Sequence, residues 1–285
     1  MKLIVESGAT KTAWRAVSDD GVVRKVETAG LSPTCLDLDH TCAIVREAVP
    51  VLNPEGKTVM EVFFYGAGLV SESSSAPIRE ALGLWCPLAR VYFYSDVLAA
   101  ARALFGDGSG VVAIMGTGSN SCLYESGTIV RNIRPGGYVL GDEGSAAALG
   151  KAFLSDFIKG LLPKSVEEAF VGEFNLDYSA IVRKVYKEPA ASAFMASIAP
   201  FVVGQGSDEY VRALIEECLD SFMRRSISRY YTGSVDETAS RQVGVVGSFG
   251  YACQDIIRKV GERYDLEFVK FIKSPIDELV VYHSK

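Results

Sequence analysis

The sequence has little of what several common kinds of site require. Only two of its 285 residues are histidines, His40 and His283, so a histidine triad or a histidine-rich metal site is disfavoured and a general base would be a carboxylate. The six cysteines are scattered, with no CxxC pair, which is typical of free thiols in a reducing compartment. Acidic residues (35) outnumber lysines and arginines (29), and the formal net charge of −6 disfavours a nucleic-acid partner.

The sequence also has no membrane-length apolar run, since its apolar stretches are strand-sized and interrupted by glycine and charge. The first residues enter a strand directly, without an apolar leader ahead of a cleavage site. We therefore expect a cytoplasmic protein with no membrane partner. Hydrophobic residues make up 48% of the chain, which is enough for substantial cores in two domains.

The stretch 111–124, VVAIMGTGSNSCLY, carries the strongest local pattern. An apolar, β-branched run typical of a buried strand is followed by a turn at 116–119 and a second extended segment. The two glycines let the backbone approach a ligand without an intervening Cβ, and the clustered N–H groups of such a turn suit phosphate oxygens. The same pattern is also that of a plain hairpin, so it does not decide between these alternatives.

A second copy of this pattern occurs at 3–14, LIVESGATKTAW. In both copies the second strand runs into another turn, at 19–21 and at 125–127. This repetition predicts two similar halves that face each other across a cleft.

The order of elements in the first half predicts an α/β domain. Three strands at about 2–6, 12–18 and 22–27 form a meander, and helices then alternate with strands as far as Phe105. The resulting order, βββαβαβα, is that of a ribonuclease-H-like unit. Residues 106–110, GDGSG, read as a linker. The predicted organisation is an N-terminal domain at 1–107, a C-terminal domain with a helical insertion at 108–272, and a terminal helix at 273–285 that returns to the first domain.

Asp96 follows the predicted strand 90–94 and precedes a helix. Ligands of such sheets gather at the carboxyl ends of the strands. One interpretation makes Asp96 the N-cap of the helix that begins at Val97. The other makes it a general base, which accepts the proton of a substrate hydroxyl as that hydroxyl attacks a γ-phosphorus. We favour the base, because the two glycine turns are expected to meet near this strand end.

Two charged residues flank the first glycine turn. Lys11 is either a surface lysine on a strand or an offset for the negative charge of a nucleotide. Glu6 is either an edge residue or an outer-sphere ligand of Mg²⁺, which keeps most of its waters and needs only one or two carboxylates.

The second half offers two further candidate segments. Asp142, with Glu143, either enriches the first turn of a helix in negative charge or accepts hydrogen bonds from sugar hydroxyls. Gly247 and Ser248 are either a plain strand end or, together with Gly206, the two sides of an adenine site.

Five short motifs in this order resemble one known family. They are SGATKT at 7–12, SD at 95–96, MGTGSN at 115–120, GDEGSA at 141–146 and VVGSFG at 245–250. The chain resembles the N-acetylglucosamine kinase family, of the BadF/BadG/BcrA/BcrD type, within the actin–hexokinase–Hsp70 superfamily. The resemblance implies two ribonuclease-H-like, actin-like ATPase domains and the transfer of phosphate from ATP, with Mg²⁺, to the 6-hydroxyl of N-acetylglucosamine. A homodimer is common in this family.

The resemblance also implies a role for individual residues. The catalytic base would be Asp96, and Glu6 would hold Mg²⁺ through water. The ATP-binding residues would be Thr10, Lys11, Thr12, Gly116, Thr117, Gly118, Gly206, Gly247 and Ser248. The residues that bind the sugar substrate would be Ser32, Thr34, Asp96, Ser119, Asn120 and Asp142.

Three departures from the family pattern leave alternatives open. Glu6 stands where the family usually has aspartate, the loop at 30–34 lacks a frequent asparagine, and residues 275–279 lack a small Gly-Ala pair. The first two motivate a non-catalytic sugar sensor as an alternative. An ATPase activator of a radical dehydratase shares the fold, but no cysteine follows either glycine turn in a spacing suited to a shared iron–sulfur cluster. N-acetylglucosamine, glucosamine and N-acetylmuramic acid remain alternative acceptors.

Overall fold

A computed structural model describes residues 1–8, 11–31, 37–69, 72–231 and 241–284. The chain divides into two compact units, one of residues 1–106 and 275–285 and one of residues 107–274. We propose that these units are the two domains expected from the sequence, with the terminal helix assigned to the first. No described helix combines the length and the apolar character that a membrane crossing requires.

The first unit is built on a mixed five-stranded sheet of order β3-β2-β1-β4-β5. The first three strands are antiparallel, and β1, β4 and β5 are parallel. Its elements are β1 (Lys2–Ser7), β2 (Lys11–Val17), β3 (Val23–Ala29), α1 (Leu38–Leu52), β4 (Glu61–Gly66), α2 (Glu72–Trp85), β5 (Arg90–Ser95), α3 (Asp96–Phe105) and the last helix of the chain, α12 (Ile276–His283).

The second unit repeats this sheet order, as β8-β7-β6-β9-β10. Its strands are β6 (Gly110–Met115), β7 (Ser119–Glu125), β8 (Thr128–Ile133), β9 (Gln242–Val246) and β10 (Glu267–Ile272). Its helices are α4 (Gly137–Leu140), α5 (Ala146–Ile158), α6 (Lys164–Phe174), α7 (Tyr178–Tyr186), α8 (Ala191–Gly204), α9 (Glu209–Arg225), α10 (Ser248–Ala252) and α11 (Gln254–Gly261). The predicted α/β fold of two ribonuclease-H-like units is confirmed.

Successive side chains of β1 point to opposite faces of the sheet, and apolar residues on both faces explain why helices cover both. Leu3 and Val5 belong to a buried core that includes residues of α1 and α2. Ile4 belongs to a separate core that includes Ala99 of α3 and Leu279 of α12. The residue at position 6 has the same parity as Ile4, so its side chain lies on the face covered by α3 and α12.

Asp37 and Asp208 each precede an apolar pattern of helical period in the sequence, which predicts an N-cap at each residue, and both caps are present. Asp37 accepts a hydrogen bond from the His40 N–H (2.9 Å) at the start of α1, and Asp208 accepts one from the Tyr210 N–H (2.9 Å) at the start of α9. The apolar spacing after Asp208 predicts a helix as far as about Tyr231. The structure corrects this end, because α9 stops at Arg225 and a 3₁₀ turn follows at Ile227–Tyr230.

The stretch 163–200, which carries no sequence motif, forms α6, α7 and most of α8. Helix α8 packs closely on α5. The approach is possible because residue 150 is glycine: a Cβ there would lie only 1.9 Å from the Met195 carbonyl oxygen. These helices therefore complete the core of the second unit.

The terminal helix α12 is held on the first unit by charge and by ring stacking. Asp277 accepts hydrogen bonds from Arg15 Nε (2.8 Å) and Lys25 Nζ (3.0 Å). At the other end of the helix, the His283 ring stacks on Phe63 with centroids 3.8 Å apart.

Candidate active site

Two carboxylates and a lysine lie within electrostatic reach of one another in the first unit. Glu6 is in register with Tyr65 of β4, which is in register with Tyr94 of β5, and Asp96 follows at the end of that strand. Burial, and next the negative charge of Asp96, raises the pKa of Glu6 to about 7, while Lys11 opposes the shift. Three residues that the sequence predicts for the site are thus brought together.

The structure separates the two interpretations of Asp96. Ser95, not Asp96, is the N-cap of α3, since its Oγ accepts the Leu98 N–H (3.2 Å). Asp96 is the first residue inside the helix, and its Oδ1 accepts the N–H of Val97 (2.9 Å). Burial raises the pKa of Asp96. The capping interpretation is therefore corrected, and the carboxylate keeps an oxygen that can accept a proton.

The Glu6–Asp96 pair is a donor set that fits Mg²⁺. Among the described residues, no group of three or more histidine, cysteine or acidic side chains is placed to hold a metal. Mg²⁺ needs only one or two carboxylates, because it keeps several of its waters. A divalent cation beside these carboxylates would also relieve the unfavourable burial of their charge.

The hydroxyls of the first glycine turn are used within the protein. Ser7 Oγ and Thr12 Oγ1 are hydrogen-bonded to each other (2.7 Å), and the Leu31 N–H donates to both, at 2.8 and 3.0 Å. Thr12 is fully buried. The Thr12 side chain therefore holds the Leu31 N–H and has no exposed surface, so only its backbone is left for the predicted contact with ATP, which stays a prediction.

The other residues predicted around the first glycine turn are Lys11, Thr10, Ser32 and Thr34. Lys11 begins β2, its side chain is largely exposed, and its Nζ lies 3.5 Å from Glu27 Oε1. Thr10, Ser32 and Thr34 lie outside the described residues, so their predicted contacts with ATP and sugar stay predictions.

The second glycine turn, Gly116–Gly118, is fixed on the start of α5. The carbonyls of Gly116 and Thr117 accept the N–H groups of Ala146 (2.9 Å) and Ala147 (3.1 Å). The Gly116 N–H donates to the Gly118 carbonyl across the turn (3.0 Å). In the part of the chain that the structure describes, the Thr117 and Gly118 N–H groups have no acceptor. Two free donors on a rigid turn form an anion-binding arrangement.

Asp142 packs directly on this turn. A Cβ added to Gly118 would lie 2.9 Å from Asp142 Oδ2, so a larger residue at this position would make the carboxylate shift. The Ser119 N–H points to Asp142 Oδ1 at 3.4 Å. Burial raises the pKa of Asp142. The structure thus joins the second glycine turn to the loop that is predicted to bind the sugar.

Ser119 contacts the loop that contains Asp142, and its predicted contact with the sugar stays a prediction. Its side chain is buried, and its Oγ donates to the Glu143 carbonyl at 2.7 Å. The hydroxyl proton therefore holds the Asp142 loop, and only the lone pairs of the oxygen remain for any contact with a sugar.

The amide of Asn120 has a defined orientation. Its Oδ1 accepts the Ser121 N–H (2.8 Å) and an N–H of Asn132 Nδ2 (3.0 Å). Since a backbone N–H can only donate, the accepting atom must be the oxygen. The Nδ2 group of Asn120 is then left to donate to a ligand. Sequence analysis missed Asn132; the one available signal is an asparagine inside a strand, where this residue is uncommon.

Two further residues support this region and were also missed. Tyr230 hydrogen-bonds Ser121 Oγ (2.9 Å) and accepts the Ile133 N–H (3.0 Å), which ties β7 and β8 together. Arg225 of α9 pairs with Glu143. Tyr230 and Arg225 are both far in sequence from the residues they contact, so no local sequence pattern could have identified these contacts.

Gly247 lies against the end of β6. Its φ of +127° favours glycine, and an added Cβ would lie 2.3 Å from the Met115 carbonyl oxygen. Ser248 begins α10 and is exposed. Gly206 lies between α8 and α9, where its carbonyl accepts Arg212 Nε (3.2 Å). No described hydrogen bond joins Gly206 to Ser248, so their shared role at a nucleoside stays a prediction.

Comparison with solved structures decides the family. A protein of Porphyromonas gingivalis, provisionally named an N-acetylglucosamine kinase, is 33% identical, with a TM-score of 0.91 over 99% of this chain and 98% of its own. The chain belongs to the N-acetylglucosamine kinase family. The resemblance predicted from the five motifs is thereby confirmed. No protein-family model and no curated protein sequence matches the chain.

More distant structures share the fold of this N-acetylglucosamine kinase family member. A provisionally named N-acetylglucosamine kinase of Chromobacterium violaceum has a TM-score of 0.75 at 18% identity, covering 99% of this chain and 98% of its own. A ROK family glucokinase of Streptomyces griseus, solved with glucose and AMPPNP, has a TM-score of 0.56 at 15% identity, with 99% and 98% coverage. At these identities the likeness shows the fold alone.

Proposed function

We propose that the protein is an ATP- and Mg²⁺-dependent sugar kinase that phosphorylates the 6-hydroxyl of N-acetylglucosamine. The observation that carries this proposal is the position of the Asp96 carboxylate at a strand end. Ser95 caps the helix in its place, and the negative charge of Asp96 helps to raise the pKa of Glu6. Membership of the family supports the same substrate class.

Asp96 acts as the general base in this proposal. Its carboxylate accepts the proton of the 6-hydroxyl, the hydroxyl oxygen forms a bond to the γ-phosphorus, and the bond from that phosphorus to the β,γ-bridging oxygen breaks, releasing ADP. Because burial raises the pKa of Asp96, the carboxylate is a better proton acceptor than an exposed aspartate.

The second unit supplies positioning. The free N–H groups of Thr117 and Gly118 donate to phosphate oxygens of ATP, and Gly206, Gly247 and Ser248 lie along the nucleoside. Phosphoryl transfer depends on such positioning and on charge stabilisation more than on covalent chemistry by the protein.

The sugar is recognised by one acceptor and one donor of fixed orientation. The Asp142 carboxylate accepts hydrogen bonds from sugar hydroxyls. The Nδ2 group of Asn120, whose oxygen is already occupied, can only donate, which suits a carbonyl oxygen such as that of an acetamido group. This pairing favours N-acetylglucosamine over an acceptor that lacks a carbonyl.

Glu6 would hold Mg²⁺ through water, with Asp96 nearby. When bound, the ion supplies neutralisation of the triphosphate charge. A contact through water suits Mg²⁺, which is reluctant to lose its hydration shell.

A panel of sugars tests the proposal. The protein is incubated with ATP, Mg²⁺ and, in turn, N-acetylglucosamine, glucosamine, N-acetylmuramic acid and glucose, while ADP release and sugar affinity are both measured. We expect turnover to be highest with N-acetylglucosamine. Binding of a sugar without turnover would contradict the kinase assignment and favour a sugar sensor, and turnover restricted to another sugar would replace the proposed acceptor.

A further inference from the structure

One face of helix α9 lies along the loop that contains Asp142. Phe222 and Arg225 are three residues apart, which places them on the same side of the helix. The Phe222 side chain lies against Gly144, where an added Cβ would be 2.5 Å from the Phe222 Cβ. Arg225 Nε forms an ion pair with Glu143 Oε1. The proposed reaction does not use either of these α9 residues, although both touch the loop.

The backbone of Asp142 has a conformation that needs support from its surroundings. Its φ is +56°, in the left-handed region that residues other than glycine seldom adopt. A residue stays in such a region only where the contacts around it fix it there. The Asp142 N–H donates to the Pro135 carbonyl (3.0 Å), and the Asp142 carbonyl accepts the Ser145 N–H (3.2 Å). The residue is therefore held by its own backbone and by its neighbours.

Glu143 connects Asp142 to helix α9. The Glu143 carbonyl accepts the hydroxyl proton of Ser119 at 2.7 Å, and the Glu143 side chain, which is 23% exposed, pairs with Arg225. The main chain and the side chain of Glu143 are thus held by two different elements, β7 and α9. Because Glu143 follows Asp142 directly, a movement of Glu143 would change the backbone angles of Asp142 and the direction of its carboxylate.

The two neighbouring carboxylates also influence each other electrostatically. Burial raises the pKa of Asp142, and the negative charge of Glu143 adds to the rise, whereas the Ser119 N–H and Lys151 oppose it. Arg225 supplies a positive charge directly at Glu143. Without Arg225, repulsion between the two carboxylates would favour conformations of the loop that separate them.

We propose that Arg225 is a positioning residue for sugar recognition, which holds Glu143 so that Asp142 keeps its carboxylate at the second glycine turn. The inference rests on the proposed role of Asp142 as an acceptor of hydrogen bonds from sugar hydroxyls. The Arg225 side chain is 58% exposed, and an ion pair of this exposure adds little to global stability. Its loss should therefore change sugar binding in a protein that remains folded.

Sugar binding and turnover are measured separately in Arg225→Gln. Calorimetry without ATP gives the Kd for N-acetylglucosamine, and steady-state kinetics gives the KM for each substrate. We expect the Kd and the KM for the sugar to rise about fivefold, with the KM for ATP changed by less than about twofold. Arg225→Lys keeps the positive charge and should recover most of the affinity for the sugar. Thermal unfolding checks that each variant is folded.

The neighbouring arginine of the same helix gives a matched control. Arg224 is also exposed and forms no ion pair with Glu143 in the part of the chain that the structure describes. Arg224→Gln removes the same charge and should leave the Kd for the sugar unchanged. Amide hydrogen exchange of residues 141–146, without any ligand, should be faster in Arg225→Gln than in the wild type and in Arg224→Gln.

A double-mutant cycle tests whether the pair acts as one unit. Glu143→Gln should also raise the Kd for the sugar, and the double variant E143Q/R225Q should weaken binding by less than the product of the two single effects. A multiplicative double variant would overturn the proposal. A sugar Kd in Arg225→Gln equal to that of the wild type would overturn it too, as would an equal rise in the KM for ATP.

Measurement of binding without ATP keeps this test separate from that of the kinase activity. A wild type that binds N-acetylglucosamine but does not turn it over would contradict the proposed function, and the Kd values would still decide the role of Arg225. An active kinase whose sugar Kd is indifferent to Arg225→Gln would contradict the positioning role alone.

Discussion

The two units share one sheet order and one kind of glycine turn, yet they carry different chemistry. In the first unit the strand ends present Glu6, Lys11 and Asp96, three charged side chains that influence one another. In the second unit the equivalent turn presents free backbone N–H groups beside a single carboxylate, Asp142. A repeated fold therefore does not imply repeated roles.

The two turns differ in which of their hydrogen-bonding groups are already paired within the protein. In the first turn, Ser7 and Thr12 use their hydroxyls to hold the Leu31 N–H. In the second, the carbonyls of Gly116 and Thr117 are bonded to the start of α5, which leaves donors free. In the described residues, the first turn therefore has its hydroxyls paired within the protein, whereas the second keeps backbone donors unpaired.

The largest effect that would sharpen this comparison is expected at Asp96. Asp96→Asn keeps the shape of the side chain but removes the base, so kcat should fall by about 10²- to 10⁴-fold. Steady-state kinetics with ATP and N-acetylglucosamine measures it. Asp265→Asn, at an 88% exposed side chain, is the control and should retain wild-type kcat. A near-normal kcat in Asp96→Asn would remove this residue from the mechanism.

Two glycines, one from each turn, give the next effect. Gly118→Ala brings a Cβ to 2.9 Å from Asp142 Oδ2, whereas a Cβ at Gly8 would be 3.8 Å from its nearest neighbour, the Lys11 carbonyl oxygen. We expect Gly118→Ala to raise the KM for the sugar about tenfold, the equivalent of ~1.4 kcal/mol, by displacing the Asp142 carboxylate. Gly8→Ala should leave that KM nearly unchanged. Equal effects at both positions would show that the turns are alike.

A smaller effect is expected at Asn132, which orients the Asn120 amide. Asn132→Ala removes one hydrogen bond to Asn120 Oδ1, worth ~1 kcal/mol, so the KM for the sugar should rise about fivefold. The KM for ATP should stay the same, because Asn132 contacts no residue of the phosphate turn in the described hydrogen bonds. A rise in the KM for ATP alone would contradict this positioning role.

The smallest effect concerns α12, which only the first unit possesses. Arg102 donates to the Tyr65 hydroxyl (2.7 Å), and His283 Nε2 lies 2.7 Å from the same oxygen, where a neutral imidazole can accept the hydroxyl proton. Burial, with the charges of Arg102 and Lys2, lowers the pKa of His283 from 6.5 to about 4. The stability that this contact gives is fully present above pH 6.5 and is lost as the pH falls towards 4, because the unfolded chain binds the proton first.

Urea unfolding at about pH 7.5 and about pH 5 measures this dependence. After allowance for the partial exposure of His283, we expect the wild type to lose about 1 kcal/mol more than His283→Gln over this interval. The same pH dependence in both proteins would show that His283 does not anchor the helix.

Much of the fold could be predicted from the sequence because its signals are local. The repeated strand–glycine turn–strand pattern predicts the first two strands of each sheet, and Asp37 and Asp208 predict the starts of two helices. The site was predicted less completely, because partners distant in sequence decide the role of a side chain. The sequence predicts that Thr12 and Ser119 contact ligands. In the structure, both side chains are buried, Thr12 Oγ1 accepts the Leu31 N–H, and Ser119 Oγ donates to the Glu143 carbonyl. The positioning role of Asn132 depends on the pairing of β7 with β8.

Analysis of the reaction product tests the account most directly. The protein is incubated with Mg²⁺, ATP and N-acetylglucosamine, and the sugar is examined by phosphorus and carbon NMR. We predict one phosphate ester, on the oxygen of the 6-hydroxyl, together with an equal amount of ADP, and no ester with the 6-deoxy sugar. An ester on another hydroxyl, or ADP formed without any sugar ester, would contradict the account.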